Sequence, residues 1–402
     1  MSYPLVAEAA PSREAVLPRS AAPDPPCLVD TTMLFTPASG GVKRYLLAKR
    51  DWLARRRPQI VHRLVLPAQS RQPEDPEISW VHSAALTLGN GYRWPLTTAH
   101  WAARIQDCRP SLIEAGDPYA PGAAALRAGR VSGAPVIAFC HSDPPALAEL
   151  HFGVLASRVA RKLWIERCAR FDAVLAPSIY MAEVLRQAGL KDVQAVPLGV
   201  DLAVFSPERG DRAALRSALG LKASERLLVF AGRSAPEKRI DILVKMVEQL
   251  GAPYRLLLVG AGDRAVRSAR VHIWPFENSP TRLATVLAGC DAFVHANPRE
   301  TLGLVVLEAL ACGLPVVGPD QGGVGEILDR TIGAPANGDK AAALAEAVED
   351  LFARDVVALG MAARRRAVER HGWTRAFERL TTIYADLTGD DRFASPRAPT
   401  LQ

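Results

Sequence analysis

Residues 298–317, PRETLGLVVLEALACGLPVV, restrict the fold more than any other stretch, because they join a glycine turn, a strongly apolar helix and a β-branched strand. This order predicts a helix that begins near Gly303, ends before Gly313 and leads directly into a strand of a parallel sheet. The first backbone N–H groups of such a helix have no intrahelical acceptor and lie at its positive end, so they favour phosphate or sugar oxygens. The stretch therefore predicts an anion site at a helix start within an α/β sheet.

Two carboxylates, Glu300 and Glu308, bracket this helix start. Eight residues at about 1.5 Å each place them at most ~12 Å apart, so each can hold a different hydroxyl-rich end of one ligand. The alternative is that Glu300 only complements the helix dipole and that Glu308 is a solvated helix residue. Apolar neighbours on both sides of Glu308 leave this helix little polar face, which favours the ligand-binding interpretation.

The composition indicates an ordinary globular chain, with 49% hydrophobic and 23% charged residues over a length of 402 that suggests two or three domains. No apolar run approaches the ~20 residues that cross a bilayer. Residues 1–26 are rich in alanine and proline and lack the apolar core of a signal peptide, so we expect a disordered tail. The six cysteines show no C-x-x-C spacing, which favours reduced thiols and a cytoplasmic location over disulfides or zinc.

The positive charge is concentrated in the first half of the chain. Residues 1–200 hold 23 Lys and Arg against 17 Asp and Glu, whereas the remainder holds 26 against 25. A basic first half fits an anionic partner such as a nucleotide, a lipid headgroup or a membrane surface. A predicted basic amphipathic helix at 42–57 is one candidate for contact with the inner face of an anionic membrane, and a solvated basic face is the alternative.

Strands and helices alternate along the chain in two arrays, which predicts two doubly wound sheets facing each other across a cleft. The first array opens with a strand from Cys27, the turn that contains Gly40 and Gly41, and the helix from Val42. These two glycines allow the backbone to approach a diphosphate closely, or they serve only as a turn. A Gly/Pro-punctuated stretch at 199–207 is the predicted linker to the second array.

Three further polar side chains fall where strands end, the edge at which ligands collect in such sheets. His141 follows the buried strand 134–140. Arg233 and Lys238 follow the strand 227–230, an arrangement that brings two cations onto one diphosphate and stabilises the charge of a departing phosphate. The alternatives are a structural histidine and structural salt bridges.

Together these residues resemble a known family. The motifs that carry the resemblance are Gly232-Arg233, Glu237-Lys238-Arg239-x-Asp241, Glu300-x7-Glu308 before Ala-x-Ala-Cys-Gly-x-Pro-Val-Val, Gly322-Gly323-x-x-Glu326, and Val196-Pro-x-Gly-Val-Asp201-x-x-x-Phe205-x-Pro207. In this order and spacing they resemble glycosyltransferase family 4, retaining enzymes of the GT-B fold. The similarity is strong over residues 170–330 and continuous from residue 27.

The resemblance implies the organisation of the chain. It implies two Rossmann-like domains that face each other across a cleft and a C-terminal helix that crosses back. We expect a tail at 1–26, an acceptor domain at 27–205, a donor domain at 206–372, a crossover helix at 373–387 and a second tail at 388–402.

The resemblance also implies a role for each site residue. Glu308 is expected to hold the ribose of a nucleotide sugar, and Glu300 with His141 the transferred sugar. Arg233 and Lys238 are expected to bind the diphosphate, joined from the opposite domain by Gly40 and Gly41. The remaining donor contacts expected at the helix start are Thr301, Leu302, Gly303 and Leu304.

The implied reaction is metal-independent transfer of a hexose from GDP-mannose or a UDP-hexose to a lipid-linked or cell-envelope glycan, with retention and without a resident cofactor. The donor is a co-substrate, and no nucleic-acid partner is expected. The alternative functions are a non-catalytic nucleotide-sugar sensor, a phosphorylase and a dinucleotide oxidoreductase. A phosphorylase needs a pyridoxal-phosphate lysine that the sequence does not reveal, and no G-x-G-x-x-G follows the first strand.

Overall fold

The computed structural model describes residues 24–36, 40–68, 75–82, 85–88, 92–262 and 268–394. This part of the chain contains two parallel sheets, each flanked by helices, and one antiparallel hairpin. Of the two predicted tails, residues 1–23 and 395–402 lie outside these ranges, whereas residues 24–26 and 388–394 are described and Phe393 is buried against Tyr384. The division of the chain at residue 205 stays a prediction.

The first sheet has seven parallel strands, with β1 in the interior. In spatial order they are β3 (Ile78–Val81), β2 (Val61–Pro67), β1 (Cys27–Thr31), β6 (Leu112–Ala115), β7 (Val136–Phe139), β8 (Ala173–Ala176) and β9 (Val193–Ala195). The helices of this half are α1 (Gly41–Arg56), α2 (Ala99–Asp107), α3 (Ala120–Ser132), α4 (Pro144–Phe152), α5 (Val154–Cys168) and α6 (Ile179–Gln187). The hairpin is β4 (Ala85–Leu88) with β5 (Tyr92–Pro95).

The second sheet has six parallel strands. In spatial order they are β12 (Val271–Trp274), β11 (Tyr254–Val259), β10 (Arg226–Ala231), β13 (Ala292–Val294), β14 (Val316–Pro319) and β15 (Gly333–Ala336). Its helices are α7 (Arg212–Ala218), α8 (Ile240–Leu250), α9 (Pro280–Ala288), α10 (Leu304–Ala311), α11 (Gly322–Ile327), α12 (Ala341–Phe352) and α13 (Val356–Arg370). The central strands of both sheets are buried along their length, as near-continuous apolar strands require.

The last helix, α14 (Trp373–Thr388), returns to the first half of the molecule and packs on α1. The rings of Trp373 and Phe377 stack on each other. The ring centroid of Phe377 lies 5.9 Å from that of Tyr45 and 5.7 Å from that of Trp52, both on α1. The predicted linker at 199–207 contacts the chain just before α14, because the Val200 N–H donates to the carbonyl of His371 at 2.7 Å. Two sheets joined by a linker and a returning helix confirm the predicted GT-B architecture.

Helix α1 is amphipathic as predicted, and its contact with a membrane stays a prediction. Most of its large apolar side chains, including Leu46 and Leu53, are buried in the core, and Leu47 is exposed, so the apolar face of this helix is largely covered by the protein itself. Two of its basic residues are engaged within the fold, since Lys49 is fully buried and Arg50 forms ion pairs with two carboxylates of its own domain, whereas Arg55 and Arg56 are exposed. No helix in the described ranges is both long and apolar enough to cross a bilayer.

Candidate functional site

The helix start at Gly303 lies where the sequence predicted it. Helix α10 begins at Leu304, and Gly303 precedes it with φ of 84°, a left-handed conformation that glycine adopts without strain. The preceding loop rests on α11, where the Gly323 N–H donates to the Glu300 carbonyl at 2.7 Å. A Cβ on Gly323 would lie 2.6 Å from the Thr301 carbonyl oxygen, so only glycine permits this close packing. The glycine pair of the fourth motif therefore supports the loop that carries Glu300.

Glu300 sits among three polar side chains at the end of β13. Its Oε2 lies 2.6 Å from Lys238 Nζ, accepts from Asn297 Nδ2 at 3.2 Å and lies 3.3 Å from His295 Nε2. Burial opposes ionisation of this carboxyl, but the charge of Lys238 and the proximity of His295 hold the pKa of Glu300 well below its usual value. Glu300 is consequently a carboxylate, an acceptor suited to ligand hydroxyl groups.

Glu308 lies one turn inside α10 and is almost completely buried. Its Oε1 forms an ion pair with the guanidinium of Arg44, which belongs to α1 of the first half, while its Oε2 has no hydrogen-bond donor among the described residues. Burial raises the pKa of Glu308, and Arg44 acts against this increase. A buried carboxylate oxygen without a donor is costly, and a ligand hydroxyl would satisfy it.

The loop after β10 carries the two predicted cations. Lys238 ends a short 3-10 turn at Pro236–Lys238 and is held by Glu300. Arg233 lies at the beginning of the loop, and its guanidinium faces the Tyr92 ring of the first half at 5.9 Å. Its Nη1 is buried and has no acceptor in the described part of the chain. Arg233 thus offers an unsatisfied donor inside the cleft, which suits an anionic ligand.

The two helix starts of the predicted donor site face each other. A Cβ added to Gly41, at the start of α1, would lie 3.2 Å from Leu304 Cδ1 at the start of α10. Gly40 precedes α1 with open space around it. Both helix starts direct backbone N–H groups toward the cleft, so an anion between them would be stabilised by the positive ends of both helices.

His141 lies at the end of β7, stacked on Phe139 with ring centroids 4.3 Å apart. Its Nε2 is buried without a partner among the described residues. Burial and the nearby charge of Lys49 lower the pKa of His141 to about 3, so the ring is neutral near pH 7. The carbonyl of His141 accepts from Thr301 Oγ1 at 3.0 Å, which ties β7 to the Glu300 loop.

A buried charged cluster lies behind His141. Lys49 Nζ lies 2.7 Å from Asp30 Oδ1 and 2.8 Å from Glu114 Oε1, and it donates to Tyr384 Oη of α14 at 3.1 Å. Burial opposes the ionisation of Asp30, yet Lys49 and His62 hold its pKa at about 2. This cluster joins β1, β6, α1 and α14, and it fixes the aromatic ring of Tyr45 that lies 4.9 Å from the His141 ring.

A polar cavity of about 260 Å³ adjoins this site on the side of the first sheet. The charged and aromatic side chains that line it are Asp143, Glu149, Arg161, Trp164, Tyr180 and Arg299. Arg299 reaches across the cleft to Glu149, with a separation of 2.8 Å. Two of its lining residues are close in sequence to predicted site residues, since Asp143 is two positions after His141 and Arg299 directly precedes Glu300.

Sequence reasoning placed Arg44 in a basic helix and overlooked its contact with Glu308. It also overlooked Asn297 and His295, which surround Glu300. The domain contacts made by Ser178 and Glu326 were likewise not predicted: Ser178 Oγ donates to the Thr301 carbonyl at 2.5 Å, and Glu326 accepts from the Tyr180 N–H at 2.9 Å. The described residues form no group of three or more His, Cys, Asp or Glu side chains that could hold a metal ion. Metal independence stays a prediction.

Two family profiles match the chain. The profile described as Glycosyltransferase Family 4 matches residues 39–204, and the profile described as Glycosyl transferases group 1 matches residues 225–354. Among solved structures, sucrose-phosphate synthase from Thermosynechococcus elongatus superposes with a TM-score of 0.71 and 20% identity, covering 90% of this chain and 99% of that one. This similarity shows a common fold.

Two curated relatives come from Mycobacterium tuberculosis. A GDP-mannose-dependent alpha-(1-6)-phosphatidylinositol dimannoside mannosyltransferase is 30% identical over 286 residues, which cover 68% of this chain and 73% of that protein. A GDP-mannose-dependent alpha-mannosyltransferase is 33% identical over 223 residues, 54% of this chain and 58% of that protein. The chain thus spans less than two thirds of the second relative.

Proposed function

The chain belongs to glycosyltransferase family 4, and on this basis we propose that it transfers a hexose from a nucleoside diphosphate sugar to a lipid-linked or cell-envelope glycan. The observation that carries the proposal is the set of unsatisfied groups in the cleft. Among the described residues, Arg233 Nη1 has no acceptor and Glu308 Oε2 has no donor. The Lys238–Glu300 pair joins the loop that carries Arg233 to the loop before α10, the helix that carries Glu308. A ligand with a diphosphate and two hydroxyl-bearing ends would satisfy all of them.

Each part of the donor has a place in this proposal. Glu308 accepts from the ribose hydroxyls, and Glu300 accepts from the hydroxyls of the transferred sugar. Arg233, Lys238 and the N–H groups at the starts of α1 and α10 hold the diphosphate. Because these groups are fixed before the reaction, they stabilise the charge that develops on the leaving diphosphate.

We propose retention of the anomeric configuration. The bond between C1 of the sugar and the diphosphate oxygen breaks, an acceptor hydroxyl oxygen bonds to C1 on the same face, and the departing phosphate takes the hydroxyl proton. Glu300 pairs with Lys238 and, in this proposal, accepts hydrogen bonds from sugar hydroxyls. No protein carboxylate is therefore required as a nucleophile. The cavity lined by Arg161 and Arg299 receives the acceptor in this arrangement.

GDP-mannose is the first donor to test, because both mycobacterial relatives are described as GDP-mannose-dependent. The protein is incubated with GDP-mannose or UDP-glucose and a mannosylated phosphatidylinositol or a short mannoside, and the product anomer is assigned by NMR. We expect transfer with retained configuration and no requirement for added metal. An inverted product would contradict the mechanism. Binding of the donor without transfer or hydrolysis would favour the nucleotide-sugar sensor instead.

A further inference from the structure

Helices α4 and α5 form an antiparallel hairpin that exposes large apolar side chains. The two helices meet at Gly153, which has φ of 83° and open space around it. Six large apolar side chains of the hairpin are between 49% and 81% exposed, namely Leu150, Phe152, Val154, Leu155, Val159 and Leu163. Contiguous apolar exposure of this kind marks an interaction surface on a soluble fold.

The apolar residues lie on one side of α5. Leu155, Val159 and Leu163 are spaced by four residues, so they form a single stripe along the helix. With Phe152 they line a shallow apolar groove of about 510 Å³. The other side of α5 carries Trp164 and Cys168, which are buried in the first half of the molecule. The stripe is therefore left uncovered by the fold of the described residues.

Two cations flank the stripe. Arg158 and Lys162 are four residues apart on α5, and the sequence from residue 150 to residue 165 contains no Asp or Glu. Lys162 is 77% exposed, and the one ion pair it forms with a described residue is with Glu166, at 3.9 Å. Arg158 forms no ion pair with any described residue. Both charges are thus available to an anionic partner.

We propose that the α4–α5 surface, defined by Phe152, Leu155, Val159 and Leu163 with Arg158 and Lys162, docks onto an anionic phospholipid bilayer. An apolar stripe enters the boundary between headgroups and acyl chains, while lysine and arginine beside it reach phosphate groups. Each such cation contributes about 1 kcal/mol at an anionic surface. The stretch from residue 150 to residue 165 carries cations and no carboxylate, so its charge complements an anionic headgroup layer.

Docking through this surface connects the bilayer to the candidate acceptor cavity. Ser157, Arg161 and Trp164 line that cavity from the opposite side of α5. One helix diameter, about 10–12 Å, therefore separates the cavity from the headgroup region. The connection between bilayer and cavity rests on the proposed lipid-linked acceptor, whereas docking of the α4–α5 surface does not.

The test is co-sedimentation with vesicles of mixed phosphatidylglycerol and phosphatidylcholine, with pure phosphatidylcholine vesicles alongside, and without donor or acceptor. We expect Leu155→Ser with Leu163→Ser, and separately Arg158→Glu with Lys162→Glu, to lower the partition coefficient on anionic vesicles by about tenfold or more. The matched controls are Val357→Ser with Met361→Ser on α13, and Arg55→Glu with Arg56→Glu on α1, all at exposed positions. Both control pairs should bind as the unmodified protein does.

Three results would overturn the proposal. The unmodified protein could fail to bind anionic vesicles, or the reversal on α1 could weaken binding as much as the reversal on α5. A dimer that Leu155→Ser with Leu163→Ser converts to a monomer, together with no vesicle binding, would show that the stripe binds a second copy of the chain. Hydrolysis of GDP-mannose by each variant is measured in parallel, because vesicle binding and donor chemistry can fail independently.

Discussion

Arg44 of α1 and Glu308 of α10 form an ion pair between the two halves of the molecule, at the carboxylate that we assign to the donor ribose. Arg44 is about a quarter exposed and Glu308 is buried; burial raises the pKa of Glu308, and the guanidinium acts against this increase. A ribose that binds Glu308 must therefore share or replace this contact. The pair links closure of the cleft to occupation of the donor site.

Replacement of Arg44 by alanine should loosen the start of α10. Without the guanidinium the buried carboxylate is uncompensated, and we expect hydrogen exchange of residues 304–308 to become several-fold faster in the ligand-free protein. Arg50→Ala is the matched control, because Arg50 lies on the same helix but pairs with Asp75 and Glu77 of its own half. Equal exchange in the two variants would show that the ion pair does not hold the cleft closed.

Lys238→Ala and Glu300→Gln should each abolish most of the transfer. Removing one fixed charge that stabilises a transition state costs about 10²–10³ in kcat. Lys245→Ala is the control, since Lys245 lies on the adjacent helix α8 and is mostly exposed beside Asp241. The measurement is the initial rate with GDP-mannose, with circular dichroism as a check on folding. A near-normal kcat in Lys238→Ala would remove this residue from the site.

Glu308→Gln should act on donor binding. A hydrogen bond to a charged group contributes about 1.5–3 kcal/mol, so we expect the donor KM to rise by about tenfold to a hundredfold. The change in kcat should be smaller than in Glu300→Gln, because the ribose is remote from the bond that breaks. Steady-state kinetics across donor concentrations separates the two effects. An unchanged KM would contradict the ribose assignment.

Gly303→Ala should impair activity beyond its effect on stability. The left-handed conformation costs alanine about 1–2 kcal/mol, and the new Cβ would lie 3.2 Å from Val306 Cγ2 and 3.3 Å from Glu300 Cγ. Gly389→Ala is the matched control, with φ of 66° and no atom within 4 Å. We expect comparable shifts in Tm but a loss of activity only at Gly303. Full activity in Gly303→Ala would show that the helix start is not part of the site.

The depressed pKa of His141 predicts a pH effect on stability. An unperturbed histidine has a pKa of ~6.5. In the folded protein the pKa of His141 is about 3, so the folded state favours the neutral ring. Its contribution is complete above pH ~6.5 and is lost progressively as the pH falls toward 3. Relative to His141→Asn, the protein should lose about 1.4 kcal/mol of unfolding free energy per pH unit below 6.5. Parallel urea titrations measure this difference, and a difference independent of pH would contradict the burial of a neutral ring.

The fold could be predicted because the residue patterns that specify it lie within short stretches of the sequence. The apolar runs, the turn glycines and the order of strands and helices specify two doubly wound sheets, and the start of α10 at Leu304 follows from Gly303 and the apolar run behind it. The hairpin of β4 and β5 and the helix α4 were not predicted. Helix α4 begins at two prolines after Asp143, whose side chain caps the helix by accepting from the Ala146 N–H.

The site was predicted only in part, because several of its contacts connect residues that are distant in sequence. The Arg44–Glu308 pair spans 264 positions, and nothing near Arg44 distinguishes it from the other cations of α1. The same limit explains why the sequence left two interpretations of this helix open. Its alternation of basic and apolar residues fits a membrane surface or a protein core equally well, and only the position of α14 decides between them.

The crossing of α14 also determines when the first half of the molecule can be completed. Tyr384 donates to Glu114 and accepts from Lys49, although it follows these residues by 270 and 335 positions. A ribosome releases the chain from its N-terminus, so the buried charges of the first sheet lack this hydroxyl until residue 384 has been synthesised. The second sheet lies between these residues in sequence, so the first half is completed only after the second half has emerged, and the two halves mature as one unit.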